Sequence, residues 1–252
     1  MPKSAHGLTS LQSFQFDTIA FIESPYQEKF AIPRQPNLVS EAKGKVIFTG
    51  EANNNELVRD IEQFSHLWLL FIFHGTQEQG WKPLVRPPRL GGNTKTGVLA
   101  TRSTFRPNPI GMSVVKLDKV TTENKQTILH ISGLDLLNGT PIIDIKPYVP
   151  YSDAITDANG GFAQSEPKTT LTVSFTKQAQ CDLEQHQTKL ASKYGKLALL
   201  IEQVLAQDPR PAYKQGKVDD KVYGMRLYDL NILWKVSNLT HIEVLSINKE
   251  LV

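Results

Sequence analysis

Residues 86–116, RPPRLGGNTKTGVLATRSTFRPNPIGMSVVK, contain the features that decide the fold of this chain. Prolines and glycines are spread through the stretch and make a long helix unfavourable. We expect a strand over residues 96–103, a forced turn at Pro107-Asn108-Pro109, and a second strand over residues 111–117. The stretch therefore predicts short strands that are joined by rigid turns.

The same stretch is strongly cationic. Between Gln79 and Leu117 the chain has seven Lys or Arg residues and no Asp or Glu. A cationic run is often only a solvated loop, but one held in a Pro/Gly frame without acids favours an anion-binding surface. Around Gly91 and Gly92, backbone N–H groups can remain free for a ligand.

The rest of the first 176 residues also indicates a mainly β structure. A helix is expected over residues 53–63, because Leu57, Ile61 and Phe64 repeat at helical spacing. Further strands are expected at residues 14–23, 42–49, 67–73, 127–132, 141–146 and 169–175, the last of them closing the domain. Many short strands with one convincing helix predict a small antiparallel β-barrel for residues 1–176.

A smaller α+β domain is expected over residues 177–252. Leucines near helical spacing predict a helix over residues 178–207, which ends at Asp208-Pro209. Residues 222–234 and 240–247 read as a pair of strands.

Composition and absent motifs exclude several classes of protein. The 252 residues carry a formal net charge of only +3, so local clustering and not overall charge points to an anionic partner. A single cysteine excludes an internal disulfide and a cysteine-built metal site, and we expect no metal. The first residues lack the apolar segment of a signal peptide and the longest apolar run is too short for a bilayer, so we expect a cytoplasmic protein without membrane contact. No glycine-rich Rossmann fingerprint, P-loop, H-E-x-x-H or G-x-S-x-G motif occurs.

Several blocks together resemble the TsaA-like, TrmO-type tRNA methyltransferases. The blocks are Pro33-Arg34-Gln35-Pro36, Phe64-Ser65-His66-Leu67-Trp68, residues 97–103, residues 106–111 and residues 133–151. Asp208-Pro209-Arg210-Pro211 and residues 222–234 resemble the C-terminal domain of the longer bacterial members. The resemblance runs in order over nearly the whole chain.

This resemblance implies a β-barrel that binds S-adenosylmethionine without a Rossmann sheet. It also implies methylation of N6 of threonylcarbamoyladenosine at position 37, in the anticodon loop of a tRNA, by a homodimer. The cofactor pocket implied by the resemblance comprises Pro33, Arg34, Gln35, His74, Gly75, Arg102, Leu136, Leu137, Asn138 and Gly139. Arg34 or Arg102 would pair with the cofactor carboxylate, and the turn at Asn138-Gly139 would offer backbone groups to its adenine.

The remaining roles follow from the chemistry of such a transfer. One group must accept a proton from the target nitrogen, and Asp135, Asp144 and His74 are the candidates. Phosphates of the anticodon stem-loop are expected to meet Arg86, Arg89, Lys95 and Arg106, while Tyr148 or Tyr151 would stack on the extruded base. Two other functions stay open from the sequence: a non-catalytic RNA-binding barrel, and an S-adenosylmethionine-dependent enzyme with a small anionic substrate.

Overall fold

The computed structural model describes residues 13–167 and 171–250. The elements of the first part are β1 Ala20–Glu23, β2 Lys43–Phe48, β3 His66–Ile72, β4 Leu84–Val85, β5 Thr96–Gly97, β6 Ile110–Glu123, β7 Gln126–Ser132, β8 Pro141–Pro147 and the short helix α1 Pro150–Asp153. The elements of the second part are β9 Thr172–Phe175, α2 Lys177–Tyr194, α3 Leu197–Ala206, β10 Tyr223–Leu227, β11 Leu230–Asn238 and β12 His241–Lys249. The expected mainly β class with a separate C-terminal α+β part is confirmed.

Six strands of the first part pair in the order β1-β2-β7-β6-β3-β8 and close on themselves as a barrel. All of these pairings are antiparallel, and Ala20 of β1 pairs both with Phe48 of β2 and with Ile142 of β8. Burial alternates along β3, where Leu67, Leu69 and Phe71 point into the core. This alternation is what a strand with one buried face requires.

The antiparallel pairings give the barrel two distinct ends. We call the near end the one at which β1, β3 and β7 finish and β2, β6 and β8 begin, and the far end its opposite. The chain segments that follow Glu23, Ile72 and Ser132 therefore leave the barrel at the near end. The segment that precedes Ile110 reaches β6 at the same end. Most of the residues expected to hold the cofactor lie in these segments.

The second part is a four-stranded sheet in the order β10-β11-β12-β9. β9 pairs in parallel with β12, with Val173 opposite Ile242, so the expectation that residues 169–175 close the barrel is wrong; residues 168–170 lie outside the described part. The sheet also contacts the chain that leaves β1, because Tyr228 N donates to Pro25 O at 2.7 Å and Tyr26 bridges to Leu227. The division of the chain at residues 176/177 stays a prediction.

One hydrophobic core extends through both parts of the molecule. Tyr26 and Val39 from the first part belong to the same buried cluster as Val204 and Leu227 from the second. Burial of apolar area is the main favourable term in folding, so the shared core fixes the second part against the barrel. No helix in the described ranges combines the length and the apolar character that a bilayer-spanning segment needs.

Several expected elements differ from the structure for local reasons. The helix over residues 53–63 is wrong, because short 3-10 turns replace it: the Asn54 side chain accepts from Glu56 N, and Asp60 has a left-handed φ of 65° that interrupts a helix. The strand over residues 96–103 shrinks to β5 and runs into a 3-10 turn, Val98–Ala100. The helix over residues 178–207 divides at Gly195, which has a φ of 57°.

The strand expected over residues 222–234 is two strands, β10 and β11. Tyr228 takes a φ of 54° between them, so the chain turns back and pairs Leu227 with Leu230. The alternation of apolar residues continues on both sides of this tight turn, which is why the sequence pattern alone does not reveal it.

Candidate functional site

The loop that carries Pro33, Arg34 and Gln35 is tied to the turn that precedes Asp135. Asn37 N donates to Gly133 O at 2.8 Å, and Gly133 N donates to Ala42 O at 3.0 Å. Gly133 has a φ of 73°, and a Cβ there would overlap the Asn37 side-chain oxygen. Only glycine meets both demands at this position. The contact places two of the segments implied by the resemblance side by side.

Arg102 joins these segments from the loop before β6. Its Nη1 donates to Gln35 Oε1 at 2.6 Å. Its positive charge also acts on the Asp135 carboxyl and lowers the pKa of that group, although this influence is the smallest of those acting on it. Gln35, Arg102 and Asp135 are therefore neighbours at the near end of the barrel.

Asp135 is the most perturbed carboxyl group of this cluster. Burial raises its pKa to about 6. The hydrogen bond from the Ser113 hydroxyl and, more weakly, the Arg102 charge lower the pKa and only partly offset this rise. Its Oδ1 is buried and accepts no hydrogen bond from the described residues. The Tyr26 hydroxyl is likewise buried without a partner, and its pKa is raised first by burial and then by the Asp135 charge.

His74, Gly75 and Thr76 follow β3 and complete the cluster. A Cβ on Gly75 would lie 3.7 Å from Leu137 Cδ2, so the segment after β3 faces the turn after β7. Thr76 Oγ1 is a third buried polar atom without a hydrogen-bond partner in the described part of the chain. Buried polar groups normally find partners, so three unsatisfied ones at one end of a barrel indicate a place for a polar ligand.

Asn138 and Gly139 hold the turn after β7 in place through their backbone N–H groups. Asn138 N donates to Tyr26 O at 2.9 Å, and Gly139 N donates to Ile22 O at 2.8 Å. The Asn138 side chain accepts from Ser24 N at 3.1 Å. Both N–H groups are thus used within the barrel, and contact of the cofactor adenine with the other backbone groups of this turn stays a prediction.

The structure separates the three candidate proton acceptors. Asp135 lies in the cluster, and His74 lies half-buried directly after β3, at the same end of the barrel. Asp144 lies within β8, where its carboxylate pairs with Lys146 Nζ at 2.7 Å and accepts from Ile145 N at 2.9 Å. Its side chain is 44% exposed, so Asp144 resembles an ordinary surface ion pair.

The expected RNA-contacting cations divide into two groups. Arg86 and Lys95 are exposed. Arg89 Nη1 donates to Ser165 O at 2.5 Å, and Arg106 Nη1 donates to Thr101 O at 2.6 Å and to Val98 O at 3.3 Å. Arg106 therefore holds the turn between β5 and β6. Arg86, Arg89 and Lys95 are exposed and present their charge to solvent. Within the described ranges none of these cations pairs with a carboxylate.

Tyr148 and Tyr151 lie away from the cluster. They follow β8 at the far end, and its seven residues place them about 20 Å along the strand from the near end. The Tyr148 ring packs against Trp68 with centroids 5.8 Å apart, whereas Tyr151 is 92% exposed. The structure therefore does not bring these rings to the residues expected to bind the cofactor, and their contact with RNA stays a prediction.

Sequence reasoning did not single out Tyr26, Thr76 or Ser113. Each is a small or ordinary polar residue outside any recognisable motif, and only the fold shows that their hydroxyls meet the site. Thr76 directly follows His74-Gly75, which is the one signal in the sequence that could have drawn attention to it.

Comparison with known proteins accounts for both parts of the chain. Residues 21–154 match the family model described as the tRNA-methyltransferase O N-terminal domain, and residues 168–250 match the TrmO C-terminal domain. The chain is 50% identical over 228 residues to an Escherichia coli K12 protein named tRNA (adenine(37)-N6)-methyltransferase, covering 90% of this chain and 95% of that one.

Two further relatives come from Pseudomonas aeruginosa. A protein named putative S-adenosylmethionine-dependent methyltransferase RcsF is 45% identical over 229 residues, with 91% of this chain and 95% of that one covered. A crystal structure of TrmO superimposes with a TM-score of 0.79 at 40% identity and covers 94% of this chain and 99% of the other. The expected resemblance is confirmed: the chain belongs to the tRNA-methyltransferase O family.

Proposed function

We propose that this chain is an S-adenosylmethionine-dependent methyltransferase that acts on N6 of threonylcarbamoyladenosine at position 37 of a tRNA. Membership in the family supports methyl transfer to tRNA adenine 37, and the related proteins carry names that state this reaction and this cofactor. The single observation in the structure that supports a catalytic centre is the unsatisfied polar cluster around Asp135 at the near end of the barrel.

The residues of the near end fit the cofactor. Arg102 supplies a cation for its carboxylate and is oriented by Gln35, while Thr76 offers an unused hydroxyl. Leu137 is half-buried and provides an apolar surface beside these polar groups, as small-molecule sites require, whereas Leu136 is buried in the core beneath it. The bound cofactor supplies an electrophilic methyl group on a sulfonium, and the protein has to align the target nitrogen and remove one proton.

Asp135 is the group that we assign as proton acceptor. Its pKa of about 6 makes it a stronger base than an ordinary carboxylate, yet it is still ionised at neutral pH. The target N6–H is adjacent to a carbonyl substituent and is therefore more acidic than the amine of plain adenine. A carboxylate of modest basicity is thus sufficient, and its buried Oδ1 has a free position for the proton.

The tRNA contact is proposed for the cationic hairpin that β4 and β5 form. Arg86 and Lys95 flank this hairpin and are exposed, so they can meet phosphates of the anticodon stem-loop. Phosphate contacts supply affinity that depends steeply on salt, and they orient the RNA for the near end.

A homodimer acting in the cytoplasm completes the proposal. Its support is a set of exposed apolar side chains near the cationic region, with Leu99 75% and Met112 52% exposed. Light scattering after size exclusion should give about twice the 28.2 kDa of one chain, and a monomeric mass would contradict this part.

The decisive experiment is mass spectrometry of nucleosides after incubation of enzyme and cofactor with a threonylcarbamoylated anticodon stem-loop. One added methyl group on the modified adenosine is expected for the wild type. Asp135→Asn should lower kcat/KM by about 100-fold or more, as loss of a general base does, whereas Asp144→Asn should retain most of the activity. For the wild type, log kcat/KM should rise with pH up to about 6 and then level off.

Two results would contradict the proposal. Failure to bind S-adenosylmethionine in calorimetry would favour a passive RNA-binding barrel. Methylation of small anionic compounds but of no tRNA nucleoside would favour the small-substrate enzyme. Equal activity of Asp135→Asn and Asp144→Asn would refute only the assignment of Asp135 as proton acceptor.

A further inference from the structure

A cavity of about 240 Å³ lies where the chain that leaves β1 meets the turn after α3. From the barrel side Phe30, Pro33 and Arg34 line it, and from the C-terminal side Val204, Asp208 and Pro209. Most of the wall is therefore apolar, with charged groups at few positions. The C-terminal part thus contributes half of a cavity whose other half belongs to a loop of the proposed cofactor site.

The charge around this cavity is positive. Asp208 is the one acid among the described lining residues, and Arg210 Nε and Nη2 bind its two carboxylate oxygens, each at 2.8 Å. Arg34 and Lys29 also line the cavity, and neither has an ion-pair partner within the described ranges. An anion entering here would meet Arg34 and Lys29, whose charge the Asp208 carboxylate offsets only in part.

Arg34 is in an environment that favours such an anion. Partial burial lowers its pKa, the Asp208 charge opposes this, and the neighbouring Arg89 lowers it further. The side chain as a whole is exposed, so an anion can reach it, and the neighbouring Arg89 makes a negatively charged partner favourable.

The size of the cavity limits what it can hold. Pockets that enclose a whole drug-sized ligand measure about 300–1,000 Å³, so 240 Å³ accommodates a substituent and not the complete cofactor. A cation at the opening suits an anionic end group, and the apolar walls suit a methyl-bearing portion next to it. A backbone phosphate has no apolar portion to place against Phe30 and the prolines.

The cavity is also next to the proposed site of methyl transfer. Arg34 and Gln35 are consecutive, and Gln35 accepts the hydrogen bond from Arg102 beside Asp135. Arg34 lines the cavity, whereas Gln35 joins the Asp135 cluster. A substituent on the target nitrogen could therefore extend from the cluster into the cavity.

We propose that this cavity binds the carboxylate-bearing amino acid substituent on N6 of the target adenine, with Arg34 as the partner of its carboxylate. The inference rests on the proposed function and reassigns Arg34 from the cofactor to the substrate. It makes Arg34 a specificity-determining residue, and it gives the C-terminal part a role in recognising the modified nucleoside.

The test compares two anticodon stem-loops that differ only in the substituent on adenine 37: the threonylcarbamoyl group itself and its neutral carboxamide. The wild type should prefer the acid by about 10- to 100-fold in kcat/KM, as expected for one charge-assisted contact. Arg34→Gln should lose this preference, so that the two RNAs react within about threefold of each other. Arg59→Gln, which alters an exposed arginine paired with Glu56 outside the cavity lining, is the matched control and should keep the preference.

Each outcome decides between the assignments. Calorimetry with S-adenosylmethionine should give the same affinity for Arg34→Gln as for the wild type, and a large loss would return Arg34 to the cofactor and overturn the inference. The inference would also be overturned if the wild type methylated the carboxamide RNA as well as the acid RNA, or if Arg34→Gln still preferred the acid. Equal use of both RNAs by the wild type would point to a phosphate as the anion that Arg34 binds. Methylation of neither RNA by the wild type would refute the proposed function, and the inference with it.

Discussion

Replacement of Asp135 by Asn tests the buried carboxyl without any substrate. The substitution keeps the size of the side chain and removes its ionisation. Burial raises the pKa of Asp135 from 3.8 to about 6, which corresponds to about 3 kcal/mol of unfolding free energy when the group is fully ionised. The wild type therefore carries this cost at pH 8, and the variant does not.

The sign follows from proton binding. Between about pH 4 and pH 6 the folded protein retains a proton on Asp135 that the unfolded chain releases, so the wild type loses stability as the pH rises through this window. Relative to the wild type, Asp135→Asn should gain about 1 kcal/mol at pH 4.5 and about 3 kcal/mol at pH 8. Hydrogen bonds of the new amide add an offset that does not depend on pH.

Urea denaturation of both proteins at the two pH values measures this difference. The informative quantity is the change in the variant-minus-wild-type free energy, about 2 kcal/mol between pH 4.5 and pH 8, because shared titrations cancel. Asp144→Asn, at a half-exposed ion pair, is the control and should show a much smaller change. An Asp135→Asn difference that is the same at both pH values would refute the reasoning.

Three further predictions concern the loops and the C-terminal part. Gly133→Ala should lower the unfolding free energy by about 1–3 kcal/mol, because the residue has a positive φ and its new Cβ would overlap Asn37; thermal melting measures this, and an unchanged melting temperature would contradict it. Arg86→Ala combined with Arg89→Ala should weaken tRNA binding and make its salt dependence shallower, while calorimetry shows unchanged cofactor affinity; equal loss of both affinities would contradict this division. Arg210→Gln should destabilise the protein by about 3–5 kcal/mol, since it leaves a largely buried carboxylate partner unpaired, and urea denaturation showing less than about 1 kcal/mol would exclude that explanation.

Periodicity predicted the regular parts of the barrel well. β3, β7 and β8 lie close to their expected bounds, because alternating or continuous apolar runs between turn residues leave few other structures. The pattern failed where one residue decides the backbone. Asp60 with its left-handed conformation replaces a helix by 3-10 turns, and Gly195 divides another helix in two.

The site was predictable in position more than in detail. The resemblance indicated Gln35 and Arg102, and the chemistry of the transfer gave Asp135 as one of three candidate proton acceptors. The fold places Gln35, Arg102 and Asp135 together. The resemblance did not reveal that Arg34, unlike Gln35, lines the cavity at the C-terminal part, or that the Arg106 guanidinium donates to carbonyl groups of its own loop. Side-chain direction in irregular loops follows no period, so neighbouring residues can face different partners without any signal in the sequence.

The hydrogen bond from Tyr228 N to Pro25 O means that the C-terminal sheet also holds the chain segment that leaves β1. Glu28 accepts from Arg226 N only a few residues further on, so the strand after Lys221 secures the start of the very loop that later presents Arg34. Removal of the C-terminal part would leave that loop without this anchorage. Weak turnover by such a shortened chain would then reflect a poorly positioned loop as much as a lost contact with RNA.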